Sequence, residues 1–171
     1  VTPLQLLNAF CTFANGGVLL KPTIVGSVAA PAGRASSTRP VEISRPISSS
    51  TAERMKPILA KVVSDGTGTM AKSFKYTIAG KTGTAQKALV GQRGYSEKAV
   101  ICSFVAFAPV EAPKIAVIVV IDEPRAPGRH FGGTASAPVV KNIVERTLAY
   151  MRVPPQQFVT ARQDPEAPSA D

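Results

Sequence analysis

The feature that most constrains the fold is an unbroken apolar run, Ile115-Ala116-Val117-Ile118-Val119-Val120-Ile121, in which most residues are β-branched. Such residues favour strands, and a run without polar alternation is typical of a strand that is covered on both faces. Residues 78–85 and 100–108 are two earlier extended segments, with a polar hairpin loop at 86–98 between them. Three strands in succession predict an antiparallel meander that needs helices on its faces.

Three stretches of helical periodicity predict the helices that cover this sheet. The first starts at Thr2-Pro3, an N-cap followed by a proline, and ends before a glycine pair. The second has capping-box spacing at Ser50 to Glu53 and carries Pro57, which predicts a kink or a later start. The last begins at about Ala137. Their apolar stripes are Leu4, Leu7, Phe10, Cys11 and Ala14; Met55, Ile58, Leu59, Val62 and Val63; and Val140, Ile143, Val144, Thr147, Leu148 and Met151.

The remaining stretches predict weak or irregular structure. Residues 18–28 are extended, and Pro22 limits them to an edge strand or a broken strand. Residues 30–49 are rich in Pro, Ser, Gly and Arg, which predicts a surface loop or a weak hairpin. Residues 153–171 are polar and proline-rich, so we expect a disordered tail there. The fold class is therefore α+β over residues 1–152, with an antiparallel sheet (a three-stranded meander plus an edge strand) packed with helices.

The first strand of the meander carries the stretch with the clearest chemical character, Lys81-Thr82-Gly83-Thr84. Lys81 offers a compact positive charge, and Thr82 and Thr84 are two residues apart, so their hydroxyls share one face of a strand. Gly83 leaves room for a ligand backbone to approach, and the N–H groups of an edge strand are free to pair with that backbone. These residues together predict a place for a peptide-like substrate that carries a carboxylate.

Two phosphate-binding interpretations of this region do not fit the sequence. The P-loop motif needs a glycine five positions before Gly80, where this chain has Lys75. The stretch Asp65-Gly66-Thr67-Gly68-Thr69 is rich in glycine and threonine, but it follows a predicted helix instead of opening one. We therefore interpret it as a turn that ends the helix.

Composition argues against several classes of function. The 171 residues are 44% hydrophobic, which is enough for a core, and no apolar run is long enough to span a membrane. Lys and Arg total 20 against 11 acidic residues, but the cations are scattered and have no interleaved aromatic residues, which argues against nucleic-acid binding. One histidine and no Cys-x-x-Cys argue against a structural zinc site. Cys11 and Cys102 suit core positions, and a disulfide between them stays open.

Four elements in this order resemble the last third of the transpeptidase domain of penicillin-binding proteins, a fold shared with serine β-lactamases. Lys81-Thr82-Gly83 is one of the three motifs of these enzymes. Residues 1–17 are similar to the helix before that strand, and Gly66-Thr67-Gly68-Thr69 is similar to the loop after the next helix. Phe131-Gly132-Gly133 with Ser136-Ala137-Pro138-Val139 resembles the loop and helix after the last strand, and Val153-Pro154-Pro155 resembles the class B, cell-division branch.

The other two motifs of that family are absent from this chain. No serine here has Lys three residues later, and none has Asn two residues later; Ser73 has Lys75, at the wrong spacing. The acylated serine of the family therefore has no counterpart here, and this chain contains no assigned nucleophile. We expect a C-terminal segment of a longer enzyme, or a half that a partner completes, which is inactive alone.

The resemblance implies a peptidoglycan DD-transpeptidase that cross-links D-alanyl-D-alanine stems through a serine acyl-enzyme and is acylated by β-lactams. It implies that Lys81 supplies positive potential and that the hydroxyls of Thr82 and Thr84 bind the substrate carboxylate. It also implies that the backbone N–H of Thr84 is an oxyanion donor, and that Gly83 keeps the strand open to the substrate.

The resemblance also implies roles for residues outside this strand. It places His130 and Phe131 in an apolar wall near the ligand side chain. The alternative for His130 is a solvated loop residue, and the alternative for Phe131 is an anchor packed on the core. Whether Arg93 and Tyr95, in the predicted hairpin loop, reach the rim of the pocket stays open.

The resemblance also implies partners and a location. The partners would be peptidoglycan stems, β-lactams, the upstream part of the same domain, a septal glycan polymerase and other division proteins, with no cofactor or metal. The location would be the periplasmic face of the inner membrane, with an N-terminal transmembrane anchor outside this chain. Two alternatives stay open: a β-lactamase or DD-carboxypeptidase relative, and a non-catalytic penicillin-binding-like sensor or scaffold domain.

Overall fold

The computed structural model describes residues 1–29, 35–89, 91–128 and 130–156. Within these ranges the chain forms four α-helices and seven strands, and none of the helices is both long and apolar enough to cross a membrane. In chain order the elements are α1 (Pro3–Ala14), β1 (Leu19–Leu20), β2 (Ser27–Ala29), β3 (Ala35–Ser37), β4 (Glu42–Ser44), α2 (Ser49–Ser64), β5 (Ala79–Ala88), β6 (Tyr95–Ala108), β7 (Ile115–Asp122), α3 (Gly132–Ala135) and α4 (Ala137–Tyr150). A 3-10 turn, Thr69–Ala71, lies between α2 and β5.

The predicted meander is present, and its first two strands are longer than expected. β5, β6 and β7 pair antiparallel in that order, with Thr84 opposite Cys102 and Cys102 opposite Ile121. The predicted loop over 86–98 is wrong at both ends, because β5 continues to Ala88 and β6 begins at Tyr95. Polar side chains there mark exposure to solvent and do not mark the end of strand pairing.

Both faces of the meander are covered, as the apolar run in β7 predicts. Ile115, Val117 and Val119 pack against a core that contains buried residues of α4, here called the α4-side core. Ala116 and Ile118 pack against a second core that contains buried residues of α1 and α2, here called the α1-side core. Most of β7 is nevertheless only half-buried, because it is the last strand of the described sheet.

The predicted edge strand over residues 18–28 does not extend the meander. It is broken into two pieces, and β1 pairs with β4 while β2 pairs with β3 in two separate ladders. Pro22 lies between the pieces and has no N–H to donate to a ladder. A surface loop or a weak hairpin was predicted for residues 30–49; the described part of that range contains β3 and β4, which pair with β2 and β1 and not with each other, and residues 30–34 lie outside the described ranges.

The N-cap of helix α2 lies two residues before the start of the predicted capping box. This N-cap is Ser48, whose Oγ accepts a hydrogen bond from the Thr51 N–H at 3.1 Å. The helix then continues through Pro57 to Ser64 without restarting. The serines at 48, 49 and 50 are equally suitable as caps, so local chemistry alone does not choose among them.

The first residues of the predicted tail are packed on the domain. The Tyr76 hydroxyl donates to the Val153 carbonyl at 3.0 Å, and the Thr77 N–H donates to Oε1 of Gln156 at 3.0 Å. These contacts hold the segment that leads into β5. The prediction of a disordered tail is therefore wrong for residues up to 156, and 157–171 lie outside the described residues.

Candidate active site

The candidate site lies on β5, the first strand of the described sheet. β5 pairs with β6 on one side, and no strand within the described ranges pairs with its other side. Burial changes along the strand: Gly80 is buried, Thr82 and Gly83 are half-buried, and Lys81 and Thr84 are exposed. The Lys-Thr-Gly-Thr stretch is thus held by the core at one end and accessible along a free edge.

The strand register separates the ammonium group from the two hydroxyls. Thr82 lies opposite Phe104 and Thr84 opposite Cys102, so both threonines project to the face of the α4-side core. Lys81 lies opposite Val105, which belongs to the α1-side core. The prediction that the two hydroxyls share one face is confirmed, and the lysine projects from the other face.

The two lysines of β5 differ in their partners. Nζ of Lys81 donates to the Thr82 carbonyl at 3.0 Å, and Lys81 forms no ion pair with any described residue. Lys87 pairs with Glu123 at 2.6 Å and with Asp122 at 3.1 Å, and hydrogen bonds to these two carboxylates raise the pKa of Lys87. The charge of Lys87 is compensated within the fold, whereas that of Lys81 is available to a ligand.

A residue that the sequence analysis placed in a turn is part of the site. The turn after α2 brings Oγ1 of Thr67 to 2.8 Å from Oγ1 of Thr82, and either hydroxyl can be the donor. The turn itself is confirmed, since the Gly68 N–H donates to the Val62 carbonyl at 2.8 Å. The Gly-Thr-Gly-Thr pattern was the available signal, but local sequence does not show that this turn reaches β5.

The start of α3 lies directly against β5 and β6. The Gly132 N–H donates to Oγ1 of Thr84 at 3.1 Å. A Cβ at Gly132 would overlap the Ser103 carbonyl and lie 2.5 Å from the Gly83 carbonyl oxygen. The buried Ser136 hydroxyl holds the other end of α3 by donating to the Cys102 carbonyl at 3.2 Å.

Phe131 and His130 lie on the loop that leads into α3. Phe131 is the N-cap residue of α3 and is 64% exposed, so it is not the core anchor considered as its alternative. His130 is exposed and lines a cavity of about 350 Å³ together with Glu123 and Arg125. Phe131 is therefore adjacent in sequence to the residue that contacts Thr84, while His130 lies beside Ala99 and Val100 of β6 and the residues that follow β7.

Tyr95 and Arg93 lie further along the sheet. Tyr95 is not in the hairpin loop; it is the first residue of β6, lies opposite Ala88 and is 68% exposed. Arg93 is exposed in the turn before it. Ala88 is four strand residues beyond Thr84, a distance of roughly 13 Å, so neither side chain belongs to the cluster around Thr84.

The remaining candidate ligand groups are dispersed. Cys11 and Cys102 are both free thiols, and burial raises the pKa of each. Throughout the ranges that the structure describes, no three His, Cys, Asp or Glu side chains come together in a way that would hold a metal ion. The groups that do come together around β5 are one ammonium, three threonine hydroxyls and glycine backbone.

Known proteins resemble this chain in sequence and in fold. The sequence model of one family, the penicillin binding protein transpeptidase domain, matches residues 1–145. Stage V sporulation protein D of Bacillus subtilis is 36% identical over 159 residues, which cover 92% of this chain and 24% of that protein. The peptidoglycan D,D-transpeptidase FtsI homolog of Mesostigma viride is 32% identical over 168 residues, which cover 91% of this chain and 28% of that protein.

Solved structures show the same fold. Penicillin binding protein 3 of Mycobacterium tuberculosis, complexed with aztreonam, superposes with a TM-score of 0.80 at 29% identity, covering 91% of this chain and 36% of that chain. The chain spans about a quarter of the length of the curated relatives it matches. The residues described above therefore correspond to one part of the larger proteins in this group.

Proposed function

The chain belongs to the penicillin-binding protein transpeptidase family, and we propose that it is the C-terminal segment of a class B, septal peptidoglycan DD-transpeptidase. In the proposed reaction, a serine supplied upstream attacks the carbonyl of a D-alanyl-D-alanine stem, and D-alanine leaves. The amine of a neighbouring stem then takes the acyl group from the serine. The geometry of β5 supports this proposal most directly, because it combines an uncompensated ammonium, paired hydroxyls and a free strand edge.

The residues of β5 have separate roles in this proposal. Thr82 and Thr84 donate hydrogen bonds to the carboxylate of the substrate or of a β-lactam, each worth roughly 1.5–3 kcal/mol. Lys81 projects to the opposite face, and we place the upstream serine and its proton-transfer network on that side. The backbone N–H of Thr84 is the proposed oxyanion donor, so substitution of the Thr84 side chain would not remove it.

The free edge of β5 suits a substrate that binds as an additional strand. An extended peptide stem would pair with main-chain groups of β5, in the manner of β-augmentation. Gly83 has no side chain that would block an approaching ligand backbone. The exposed Phe131 supplies an apolar wall near the ligand side chain. His130 would lie at the end of that wall.

The upstream part of the domain is the first proposed partner. The longer enzyme would be anchored at the periplasmic face of the inner membrane and would act with a septal glycan polymerase and other division proteins. The net charge of +9 on this segment favours contact with anionic envelope polymer or lipid headgroups.

Replacing Thr67 tests whether the turn after α2 takes part in ligand binding. In the longer enzyme, Thr67→Val should slow acylation by a β-lactam about 2- to 10-fold, the usual value of one neutral hydrogen bond, because Thr82 loses its partner. Thr67→Ser should retain the native rate. Thr69→Val, in the same turn, is the matched control and should have no effect. Equal rates for Thr67→Val and Thr69→Val would remove Thr67 from the site.

The isolated chain should fold poorly. β7 has no described neighbour on its outer edge, and Leu4 and Ile58 are 59% and 55% exposed, although both belong to predicted apolar stripes. We therefore expect a broad, non-cooperative urea transition for this chain alone and a cooperative one for the longer enzyme, with circular dichroism as the readout. A sharp two-state transition of the isolated chain would contradict this expectation.

The stability of the acyl-enzyme separates the transpeptidase from a β-lactamase relative. A transpeptidase should retain the β-lactam adduct for hours, whereas a β-lactamase should hydrolyse it within seconds. The decay of the adduct, followed by intact mass after removal of free drug, distinguishes the two. Rapid loss with turnover of the drug would favour the β-lactamase or carboxypeptidase interpretation.

A further inference from the structure

We propose that Gly132 is a positioning residue that fixes the Thr84 hydroxyl as a hydrogen-bond donor to the ligand carboxylate. This inference rests on the proposed function and adds a residue outside β5 to its carboxylate-binding machinery. It starts from the 3.1 Å hydrogen bond that the Gly132 N–H donates to Oγ1 of Thr84.

The direction of this hydrogen bond determines what the hydroxyl can do. A threonine hydroxyl has one proton to donate and two lone pairs that accept. The Gly132 N–H can only donate, so it occupies a lone pair and leaves the proton of Thr84 free. No described residue accepts that proton, and Thr84 is exposed. The proton is therefore available to an acceptor on the ligand, and a carboxylate is the strongest such acceptor in a peptide stem.

Only glycine can bring its N–H to this position. Thr82 and Thr84 project from the face of the sheet that α3 approaches, and Gly83 between them faces the other side, which leaves a gap between the two threonines. The backbone of Gly132 lies in that gap, where a Cβ would overlap the Ser103 carbonyl and lie 3.0 Å from the Gly83 N. Any side chain at position 132 would force α3 away from β5 and lengthen the hydrogen bond.

The contacts around Gly132 hold it in place. The next residue, Gly133, packs so closely that a Cβ there would overlap the Thr67 carbonyl. At the other end of the short helix, Ser136 bonds to the Cys102 carbonyl across the sheet from Thr84. The donor is thus anchored to both the turn after α2 and the central strand.

Thr82 differs from Thr84 in this respect. Its partner is the hydroxyl of Thr67, and either oxygen can be the donor, so the proton of Thr82 can point to Thr67 or to a ligand. The Thr84 hydroxyl has a partner that cannot accept. The two hydroxyls therefore have unequal tasks, with Thr84 a fixed donor and Thr82 an adjustable one.

The test uses the longer enzyme and two forms of one penicillin, the free carboxylate and its methyl ester. The measured quantity is the second-order rate constant of acylation by the free carboxylate divided by that for the methyl ester. We expect Gly132→Ala to lower this ratio about tenfold, with a much smaller change in the rate for the ester. Thr84→Val should lower the ratio similarly, whereas Thr84→Ser should keep the ratio of the unsubstituted enzyme. The double variant Gly132→Ala with Thr84→Val should have a ratio no lower than that of either single variant.

Two controls separate positioning from general loosening of α3. Replacement of Gly132 by glycolic acid through nonsense suppression removes the N–H without adding an atom, and it should lower the ratio about 2- to 10-fold even if Gly132→Ala does not fold. Ser136→Ala loosens the other end of α3 and should change the rates for acid and ester equally.

Each outcome has a defined meaning. An unchanged ratio in the glycolic acid variant overturns the inference but leaves the proposed function standing. The same holds if the double variant lowers the ratio by the product of the two single effects. If the unsubstituted enzyme is acylated by neither form of the penicillin, the proposed function fails and this inference fails with it.

Discussion

A β-lactam should leave the mass of this chain unchanged, should add one adduct to the longer enzyme, and should react at least about a hundredfold more slowly when Lys81 is replaced by Ala. The chain lacks Ser-x-x-Lys and Ser-x-Asn, so it offers no activated hydroxyl of the family's type. Intact mass spectrometry after a timed exposure measures both the presence of the adduct and its rate of formation.

The large effect expected for Lys81 follows from its surroundings. Its ammonium has no carboxylate partner among the described residues, so its full charge acts on the site. Lys87, on the same strand, is neutralised by Asp122 and Glu123, and Lys87→Ala is therefore the matched control, with an expected rate change of less than about twofold. Lys81→Arg retains the charge but changes its geometry, and it should fall between these two variants.

Three results would change this interpretation. An adduct on the isolated chain would mean that one of its own side chains is the nucleophile. A longer enzyme that is never acylated would favour a penicillin-binding-like sensor or scaffold domain, which the absence of a nucleophile permits. Equal effects of Lys81→Ala and Lys87→Ala would show that Lys81 has no special role in the reaction.

The parts of the fold that follow local periodicity were predictable from the sequence. The apolar run in β7 predicted a strand with cover on both faces, and its alternate residues do contact two different cores. The two-residue spacing of Thr82 and Thr84 placed their hydroxyls on one face, as the register shows. Such features depend only on residues that are neighbours in the chain.

The parts that were missed depend on contacts between distant residues. Thr67 was placed in a turn, correctly, but its hydrogen bond to Thr82 spans 15 positions and leaves no periodic signal. The bond from Gly132 to Thr84 spans 48 positions, and its donor is a backbone group that every residue except proline has. The need for glycine at position 132 follows from its contact with the backbone of Gly83 and Ser103, which only the folded sheet brings next to it.

The length of β5 and β6 was missed for a related reason. Polar residues in 86–98 suggested a loop, but an antiparallel ribbon can extend beyond the helices that cover it while its side chains remain in water. The pairing of Lys87 with Asp122 and Glu123 fastens that extension to β7. The polar residues thus correctly predicted that this part of the chain is exposed to solvent. They did not predict where β5 ends and β6 begins.

Phe104→Ala should cause the largest loss of stability among the variants considered, about 3–5 kcal/mol in the free energy of unfolding. Phe104 is fully buried, and its ring is held between β5 and the turn after α2. A Cβ on Gly80 would lie 2.5 Å from Phe104 Cε1, and one on Gly68 would lie 2.7 Å from Phe104 Cε2. Removing the ring therefore leaves a cavity directly beneath Thr82, which lies opposite Phe104 in the sheet.

Urea denaturation of the longer enzyme, followed by circular dichroism, measures this loss. Phe74→Ala is the matched control, because Phe74 is 82% exposed and its removal should change the free energy of unfolding by less than about 0.5 kcal/mol. Phe104 supports both Gly80 and Gly68. The Phe104→Ala enzyme should therefore also be acylated more slowly than the unsubstituted enzyme, at urea concentrations at which the variant is still folded. If Phe104→Ala is as stable as Phe74→Ala, the ring does not support β5. If Phe104→Ala is destabilised but is acylated at the native rate, the core and the site are independent.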